Sequence, residues 1–210
     1  MAQQWGLVVP VKLLAQAKTR LSAYGDAARA ELALAFAADV LEAALDCAEV
    51  HRVLVVTDDA RAARALARPG CEVARDLPGA GLNRALEHGA ELLRAGSDAL
   101  PVAALAADLP ELRSADLGAA LRAVRARAFV ADAAGTGTTL LAARAGHPLR
   151  PEYGPDSRRR HLASGAVELA AGPALRQDVD TPQDLVAALA LGVGRHTAAA
   201  VEGLALSRPA

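Results

Sequence analysis

The chain has 210 residues, of which 53% are apolar, so it can bury a sizeable core. Its formal charge is −1 with acidic and basic residues interspersed, which excludes the electrostatic footprint of a nucleic-acid or membrane surface. The two cysteines lack metal-ligand spacing, and no apolar run approaches the ~20 residues of a membrane-spanning helix. Since no signal peptide precedes the first strand, we predict a cytoplasmic protein whose anion binding is local.

The first half of the chain alternates apolar strands with helical patterns. We predict strands at 5–11, 51–57, 71–75 and 100–106, and helices at 27–47, 58–66, 79–96 and 114–125. The strands are too uniformly apolar to show an alternation of period two. This pattern predicts an α/β fold with a mostly parallel sheet covered by helices on both faces. Ligands of such sheets gather at the carboxyl ends of the strands.

The second half is less regular. We predict strands at 128–132, 138–143 and 167–169, and helices at 157–163 and 182–191. The last residues are weakly amphipathic, and we expect them to fray. The predicted organisation is therefore one domain over residues 1–192 and a C-terminal tail over residues 193–210.

A cluster of cations follows the first strand. Lys12, Lys18 and Arg20 lie within the segment PVKLLAQAKTRL, where an α/β sheet presents its ligands. Lysine binds phosphate as a point charge and arginine as a bidentate fork, so the mixture suits a polyphosphate. A solvated basic loop explains the charges alone equally well. The GxxxxGK[ST] signature of a P-loop is absent from the sequence.

Carboxylates occur in two motifs that suit a metal ion. In ADLP, Asp108 ends an apolar strand at a turn stiffened by proline, and a hard cation such as Mg²⁺ takes one or two such carboxylates. In DVDTP, Asp178 and Asp180 project to the same side if that segment stays extended. Two alternatives remain open: Asp108 caps a turn, or Asp180 is the N-cap of the last helix.

Two turns offer neutral anion sites. GTGTT, at 135–139, combines flexible glycines with hydroxyls, although a plain tight turn explains it as well. YGPDS, at 153–157, places a glycine turn and a serine before a helix. Of the arginines at 158–160, at most two can face one ligand, because consecutive helical residues point in different directions. The signatures GxSxG and HExxH are absent.

Five motifs in this order resemble the guanylyltransferase family of coenzyme F-420 biosynthesis: PVKLLAQAKTRL, ADLPEL, DAAGTGTTLLAA, YGPDSRRRH and DVDTPQDL. The resemblance covers Trp5 to about Leu191, and the tail beyond Gly192 lies outside it. It implies a single-domain, Rossmann-like nucleotidyltransferase fold similar to that of the molybdenum-cofactor guanylyltransferases. It also implies GTP and Mg²⁺ as ligands, with pyrophosphate leaving as GMP joins the phosphate of the acceptor.

The resemblance also implies roles for individual residues. The metal ligands are Asp108 and Asp180, which form the catalytic set together with Lys18. The triphosphate of GTP is held by Lys12, Lys18 and Arg20, and the phosphorylated three-carbon acid is held by Thr139, Gly154 and Ser157. We also expect contacts near Asn83 to contribute to nucleotide binding. The chain has Leu13 where the family often has proline and Tyr153 where phenylalanine is common, and both changes keep the apolar or aromatic character.

The acceptor is either phosphoenolpyruvate, giving enolpyruvyl-2-diphospho-5'-guanosine, or 2-phospho-L-lactate, giving lactyl-2-diphospho-5'-guanosine. The high arginine and alanine content resembles that of actinobacterial members, which favours phosphoenolpyruvate. A relative that uses CTP or ATP is one alternative. A catalytically silent nucleotide-binding relative is another, and the presence of both Asp108 and Asp180 argues against it. Whether the product passes directly to the next enzyme is left open.

Overall fold

A computed structural model describes residues 4–76, 81–95, 97 and 99–206 of the chain. These residues form seven strands and seven α-helices. The strands are β1 Trp5–Pro10, β2 Val50–Val56, β3 Cys71–Ala74, β4 Val102–Leu105, β5 Arg127–Ala131, β6 Thr138–Ala143 and β7 Val167–Glu168. The helices are α1 Asp26–Leu45, α2 Ala60–Leu66, α3 Gly81–Arg94, α4 Ser114–Ala123, α5 Ser157–Ala163, α6 Pro182–Leu191 and α7 Arg195–Leu206.

The strands form one sheet in the order β3-β2-β1-β4-β6-β5-β7. Strand β6 is antiparallel to both β4 and β5, and the other neighbouring pairs are parallel. The predicted mostly parallel α/β sheet is therefore confirmed. Because β6 runs backwards, its first residue, Thr138, lies at the same edge as the carboxyl ends of β1 and β4.

Helices cover both faces of the sheet, which explains why the strands show no polar face. Leu7 and Val9 of β1 belong to a core shared with α1 and α4, whereas Val8 belongs to a second core shared with α3. In α3, a Cβ on Gly89 would lie 2.6 Å from Cγ1 of Val8, so glycine allows the helix to approach the sheet closely. Strand β1, an inner strand of the sheet, is thus buried on both sides.

A third, smaller core joins segments that are far apart in sequence. Leu21 of the loop after β1 and Val179 of the DVDTP motif are fully buried against Phe36 of α1 and Leu185 of α6. This cluster brings the cationic loop next to the second carboxylate motif.

The C-terminal region differs from its prediction. Residues 195–206, which we expected to fray, form helix α7 and pack against α1. The carboxylate of Asp39, on α1, accepts hydrogen bonds from the backbone N–H groups of His196 and Thr197, both at 2.9 Å. This prediction was wrong because the partners of α7 lie on a distant helix. The proposed boundary at Gly192 stays a prediction.

Most other predicted elements appear within a few residues of their expected positions. Gly79, Ala80 and Gly96, which we predicted at the ends of the third helix, lie outside the described residues, as do residues 207–210 of the predicted tail. None of the described helices combines the length and apolarity needed to cross a membrane.

Candidate active site

A cavity of about 510 Å³ opens at the carboxyl ends of β1 and β4. After β1 the chain moves outward to β2 and β3 and returns on the other side of β1 with β4, so the cavity lies at the topological switch point of the sheet. Eight of the nine residues to which the sequence assigned a role line this cavity: Lys12, Lys18, Arg20, Asp108, Thr139, Gly154, Ser157 and Asp180.

The loop after β1, residues 11–25, is held by specific hydrogen bonds, although the side chains of Lys12 and Arg20 are exposed. The carboxylate of Asp59 caps α2 and also accepts the backbone N–H of Leu14 at 2.9 Å. The guanidinium of Arg29, buried at the start of α1, donates to the carbonyl of Ala17. Lys18 has a left-handed backbone, with φ of 53°. These contacts direct the loop over the end of the sheet.

The ammonium of Lys18 bridges the two carboxylate motifs. It bonds to Asp108 and, at 2.9 Å, to Asp180, and only 10% of its side chain is exposed. Burial opposes the charged ammonium, but the two carboxylates outweigh it and raise the pKa of Lys18. Burial likewise opposes the charge on Asp180, and the nearby Lys18, Arg20 and Lys12 lower the pKa of that carboxyl overall. Arg20 is mostly exposed and lies 3.4 Å from Asp180.

Asp108, Asp178 and Asp180 form a carboxylate cluster. One oxygen of each lies within 4.8 Å of the others. The backbone N–H of Val179 donates to the carbonyl of Asp108 at 3.0 Å, and the side chain of Val179 is buried on the opposite side. The extended conformation therefore directs both aspartates of DVDTP toward the cavity.

The alternative that Asp180 caps the last helix is excluded. The N-cap of α6 is Thr181, which forms a capping box with Asp184: each side chain accepts the backbone N–H of the other residue. The carboxylate of Asp180 is therefore available to the cavity.

Asp178 is a site residue that the sequence interpretation left undecided. Its burial, followed by the charges of Asp108, Asp180 and Asp132, raises the pKa of its carboxyl to about 7. The ammonium of Lys18 thus does not fully compensate the cluster. Three converging oxygen ligands with excess negative charge fit a divalent cation such as Mg²⁺. The signal in the sequence was the i, i+2 spacing of the two aspartates.

The GTGTT run forms a tight turn, and its amides are already used. The carboxylate of Asp132 accepts the backbone N–H groups of Thr136 and Gly137 at 2.9 and 2.8 Å. A Cβ on Gly137 would lie 2.3 Å from that carboxylate, so a larger residue here would displace the side chain of Asp132. Thr139 is buried, and its hydroxyl donates to the carbonyl of Leu175 at 2.6 Å. Of the two alternatives for the run at 135–139, the structure thus supports the tight turn and not the anion nest.

The YGPDS turn places a buried hydroxyl on the cavity wall. Ser157, the first residue of α5, is 2% exposed, and its Oγ lies 3.1 Å from Oγ1 of Thr138. Gly154 lines the cavity with φ of 124°, a conformation that favours glycine. None of the three arginines at 158–160 lines the cavity, and Arg158 pairs with Glu168 of β7 instead.

Asn83 has a structural contact that the sequence did not reveal. Its amide bonds twice to the backbone of Tyr153, accepting the N–H at 2.8 Å and donating to the carbonyl at 3.1 Å. It does not line the cavity, and its two hydrogen bonds connect the YGPDS turn to α3. A contact between Asn83 and the nucleotide stays a prediction.

Comparison with known proteins identifies the family. A family model described as "Guanylyl transferase CofC like" matches residues 6–207. The chain belongs to this family. The matched region extends beyond Gly192, so our expectation that the tail lies outside the resemblance was wrong.

Curated relatives agree with this assignment. The chain is 57% identical to a phosphoenolpyruvate guanylyltransferase of Streptomyces coelicolor over 97% of this chain and 99% of the relative. It is 56% identical to a phosphoenolpyruvate guanylyltransferase of Thermomonospora curvata over 93% of this chain and 87% of the relative. These matches cover nearly the whole length of the compared proteins.

Solved structures share the fold of this guanylyltransferase-family chain at low sequence identity. A candidate nucleotide-diphospho-sugar transferase from Desulfovibrio desulfuricans G20 superposes with a TM-score of 0.71 at 17% identity, covering 97% of this chain and 96% of that one. A CMP:2-keto-3-deoxy-manno-octonic acid synthetase in complex with CTP superposes with a TM-score of 0.58 at 17% identity, covering 90% and 98%. The predicted single-domain nucleotidyltransferase fold is therefore confirmed.

Proposed function

We propose that this chain transfers GMP from GTP to phosphoenolpyruvate in coenzyme F-420 biosynthesis, giving enolpyruvyl-2-diphospho-5'-guanosine and pyrophosphate. The observation that carries the proposal is the composition of one cavity, which combines the cations of the first loop, the carboxylate cluster, and the hydroxyls of β6 and α5. Such a cavity suits two anions that must be held close together. The names of the relatives at 56–57% identity support phosphoenolpyruvate as the acceptor.

The reaction is an in-line displacement at phosphorus. A phosphate oxygen of the acceptor attacks the α-phosphorus of GTP, the bond from this phosphorus to the bridging oxygen of the β-phosphate breaks, and pyrophosphate leaves with the electron pair. An ionised phosphate is already a nucleophile at neutral pH, so no group of the protein has to remove a proton from it. The protein has to position the two substrates and neutralise their negative charge. Accordingly, the described residues that line the cavity include no histidine and no cysteine.

We assign the two anions to different walls of the cavity. Lys12, Lys18 and Arg20 hold the triphosphate, and Lys18 also keeps Asp108 and Asp180 together. The acid and phosphate of the acceptor bind at the opposite set of residues, Thr139, Gly154 and Ser157. The hydroxyl of Thr139 donates to the carbonyl of Leu175, so this residue shapes the wall of the acceptor site and does not offer its hydroxyl to the ligand.

Asp108 and Asp180, together with Asp178, would hold Mg²⁺. Carboxylate oxygens are the ligands that this ion prefers, and a solved structure of similar fold, Rv0371c of Mycobacterium tuberculosis, is a complex with manganese. When bound, the ion supplies positive charge that stabilises the negative charge developing on the phosphate oxygens.

We also place the protein in the cytoplasm. Both cysteines are free and buried, which suits a reducing compartment. Direct transfer of the product to the next enzyme of the pathway stays an open prediction.

The experiment that tests the proposal is mass spectrometry of the product. The protein is mixed with Mg²⁺, one of the four nucleoside triphosphates, and either phosphoenolpyruvate or 2-phospho-L-lactate. In the mixture that contains GTP and phosphoenolpyruvate, we expect a GMP adduct of phosphoenolpyruvate and an equal amount of pyrophosphate. A preference for 2-phospho-L-lactate or for another nucleotide would correct the substrate, and nucleotide binding without pyrophosphate release would indicate a catalytically silent protein.

A further inference from the structure

His161 is a fully buried histidine directly behind the cavity that the proposed mechanism does not use. It lies on α5, one turn after Ser157. Its ring packs between two aromatic rings, with centroid distances of 5.6 Å to Phe129 and 5.2 Å to Tyr153. Since burying a polar ring is costly unless both nitrogens are hydrogen-bonded, the partners of these nitrogens indicate what the histidine does.

The two ring nitrogens have different partners, and these determine the tautomer. Nε2 lies 3.0 Å from the backbone N–H of Glu152, which can only donate, so Nε2 carries no proton. The proton of the neutral ring is therefore on Nδ1, which lies 2.9 Å from Oγ1 of Thr138. Burial, followed by the charges of Arg127 and Arg160, lowers the pKa of His161 to about 4, so the ring is neutral near pH 7.

The hydrogen bond from His161 limits what the next two hydroxyls can do. Oγ1 of Thr138 accepts from Nδ1, and it also lies 3.1 Å from Oγ of Ser157. Each of these two hydroxyls has one proton, and one hydrogen bond joins them. Whichever hydroxyl donates in that bond, the proton of the other is not needed for it. One O–H group is therefore left without a partner among the described residues, and both Thr138 and Ser157 line the cavity.

We propose that His161 is a positioning residue that makes the Thr138–Ser157 hydroxyl pair a fixed hydrogen-bond donor to an anionic oxygen of the acceptor. If the ring carried its proton on Nε2, Thr138 would turn its own proton toward Nδ1 and the pair would lose the free donor. Thr138 thereby joins the acceptor site, while Thr139 donates its hydroxyl to Leu175. This inference rests on the proposed binding of the acceptor at Ser157.

Two substitutions of His161 distinguish the hydrogen bond at Nδ1 from the hydrogen bond at Nε2. The amide of Asn reaches the position of Nδ1 and can still donate to Thr138, whereas the amide of Gln reaches the position of Nε2 and can only replace the acceptor for Glu152. Both variants remove the same ring. We expect H161Q to raise the KM for the acceptor several-fold, because the free proton of the hydroxyl pair is no longer held in one direction, and H161N to raise it much less. The KM for GTP should change little in either variant.

A double-mutant comparison tests the path through Thr138. In a Thr138→Val background the hydroxyl is gone, so we expect H161Q and H161N to give the same KM for the acceptor. Thermal unfolding of all variants is measured in parallel. A purely structural role of His161 predicts that KM and kcat follow the loss of stability in both variants, and that result would overturn the proposal.

The reaction product of the wild-type protein shows whether a failed test concerns this inference or the proposed function. Steady-state kinetics is measured with whichever of the two acids the wild type uses, so a wrong choice of acid does not affect the comparison. A wild type that uses neither acid would overturn both proposals. Equal KM values for H161Q and H161N in an active protein would overturn only the role of His161.

Discussion

Lys18 shows how one residue can connect two parts of a site. Its backbone is left-handed, a conformation that costs a non-glycine residue on the order of 1 kcal/mol, and this conformation directs its side chain to Asp108 and Asp180. The ammonium neutralises part of the carboxylate cluster and remains at the edge of the wall that we assign to GTP. Lys18 is therefore placed to act on both the nucleotide and the carboxylates.

We predict that Lys18→Ala lowers kcat by roughly 100-fold and raises the KM for GTP, because a cation facing the leaving pyrophosphate is lost. Steady-state kinetics with each substrate varied in turn measures both effects. Arg64→Ala, which removes an exposed cation on α2, is the matched control and should behave as the wild type. A Lys18→Ala variant impaired only in acceptor binding would show that the first loop holds the acceptor and not the nucleotide.

The carboxylate cluster allows a second test. We expect Asp108→Asn, Asp178→Asn and Asp180→Asn each to lower kcat by about 100-fold or more and to raise the Mg²⁺ concentration needed for half-maximal rate. Asp46→Asn, an exposed carboxylate after α1, is the control. Near wild-type turnover of the Asp178 variant at limiting Mg²⁺ would remove that residue from the proposed metal site.

At the scale of elements, α7 is held by a hydrogen-bonding arrangement that is not local. Asp39 lies in the middle of α1 and is 5% exposed, yet its carboxylate accepts the first N–H groups of α7. This is the role of an N-cap residue, supplied by another helix. The backbone N–H of Gly194, just before α7, donates to the carbonyl of Pro110 at 2.8 Å. The C-terminal helix therefore also supports the loop that carries Asp108.

We predict that Asp39→Ala lowers the free energy of unfolding by about 1–2 kcal/mol and increases amide hydrogen exchange in α7, because two N–H groups lose their acceptor. Asp39→Asn keeps one acceptor oxygen and should lose less. Urea unfolding and hydrogen exchange by mass spectrometry provide the readouts. Unchanged exchange of α7 in the alanine variant would show that apolar packing on α1 alone holds the helix.

At the scale of the whole molecule, buried charge at the site opposes stability. Glu111 follows the ADLP motif, is 2% exposed, and neither of its carboxylate oxygens has a hydrogen-bond partner within the described part of the chain. Burial, followed by the charges of Asp108 and Asp178, raises the pKa of Glu111 to about 7 from its ordinary 4.5. The folded chain thus binds a proton more tightly at this residue than the unfolded chain does.

We predict that the metal-free protein loses stability as pH rises through 7, because a raised carboxyl pKa favours the folded state only while the group is protonated. The contribution of Glu111 is of the order of 3 kcal/mol at most, fully present below about pH 4 and lost above pH 8. Glu111→Gln, compared with the exposed Glu91→Gln, should flatten the dependence of unfolding free energy on pH in the presence of EDTA. Parallel pH curves for the two variants would contradict this.

Much of the fold could be read from local patterns. The strand at Thr138–Ala143 and the helices at Ser157–Ala163 and Pro182–Leu191 have the predicted bounds, because their apolar residues and flanking glycines and prolines act over a few positions. The sequence left the orientation of Asp178 open, and it gave no sign of the contact of Asn83 or of the hydrogen bonds of His161. Each depends on partners far away in the chain, such as Tyr153, which lies 70 residues after Asn83.

The sequence by itself determined the α/β class, the family and eight of the residues that share one cavity, since buried strands and ordered motifs are properties of the chain. Only the tertiary structure decided which groups face the cavity. The small core that contains Leu21 and Val179 places Lys18 next to Asp180. Thr181, and not Asp180, is the N-cap of α6. The ring of His161 contacts the hydroxyl of Thr138. The reason is physical: pKa values, tautomers and free hydroxyl protons depend on burial and on neighbouring charges, which arise only when distant segments pack together.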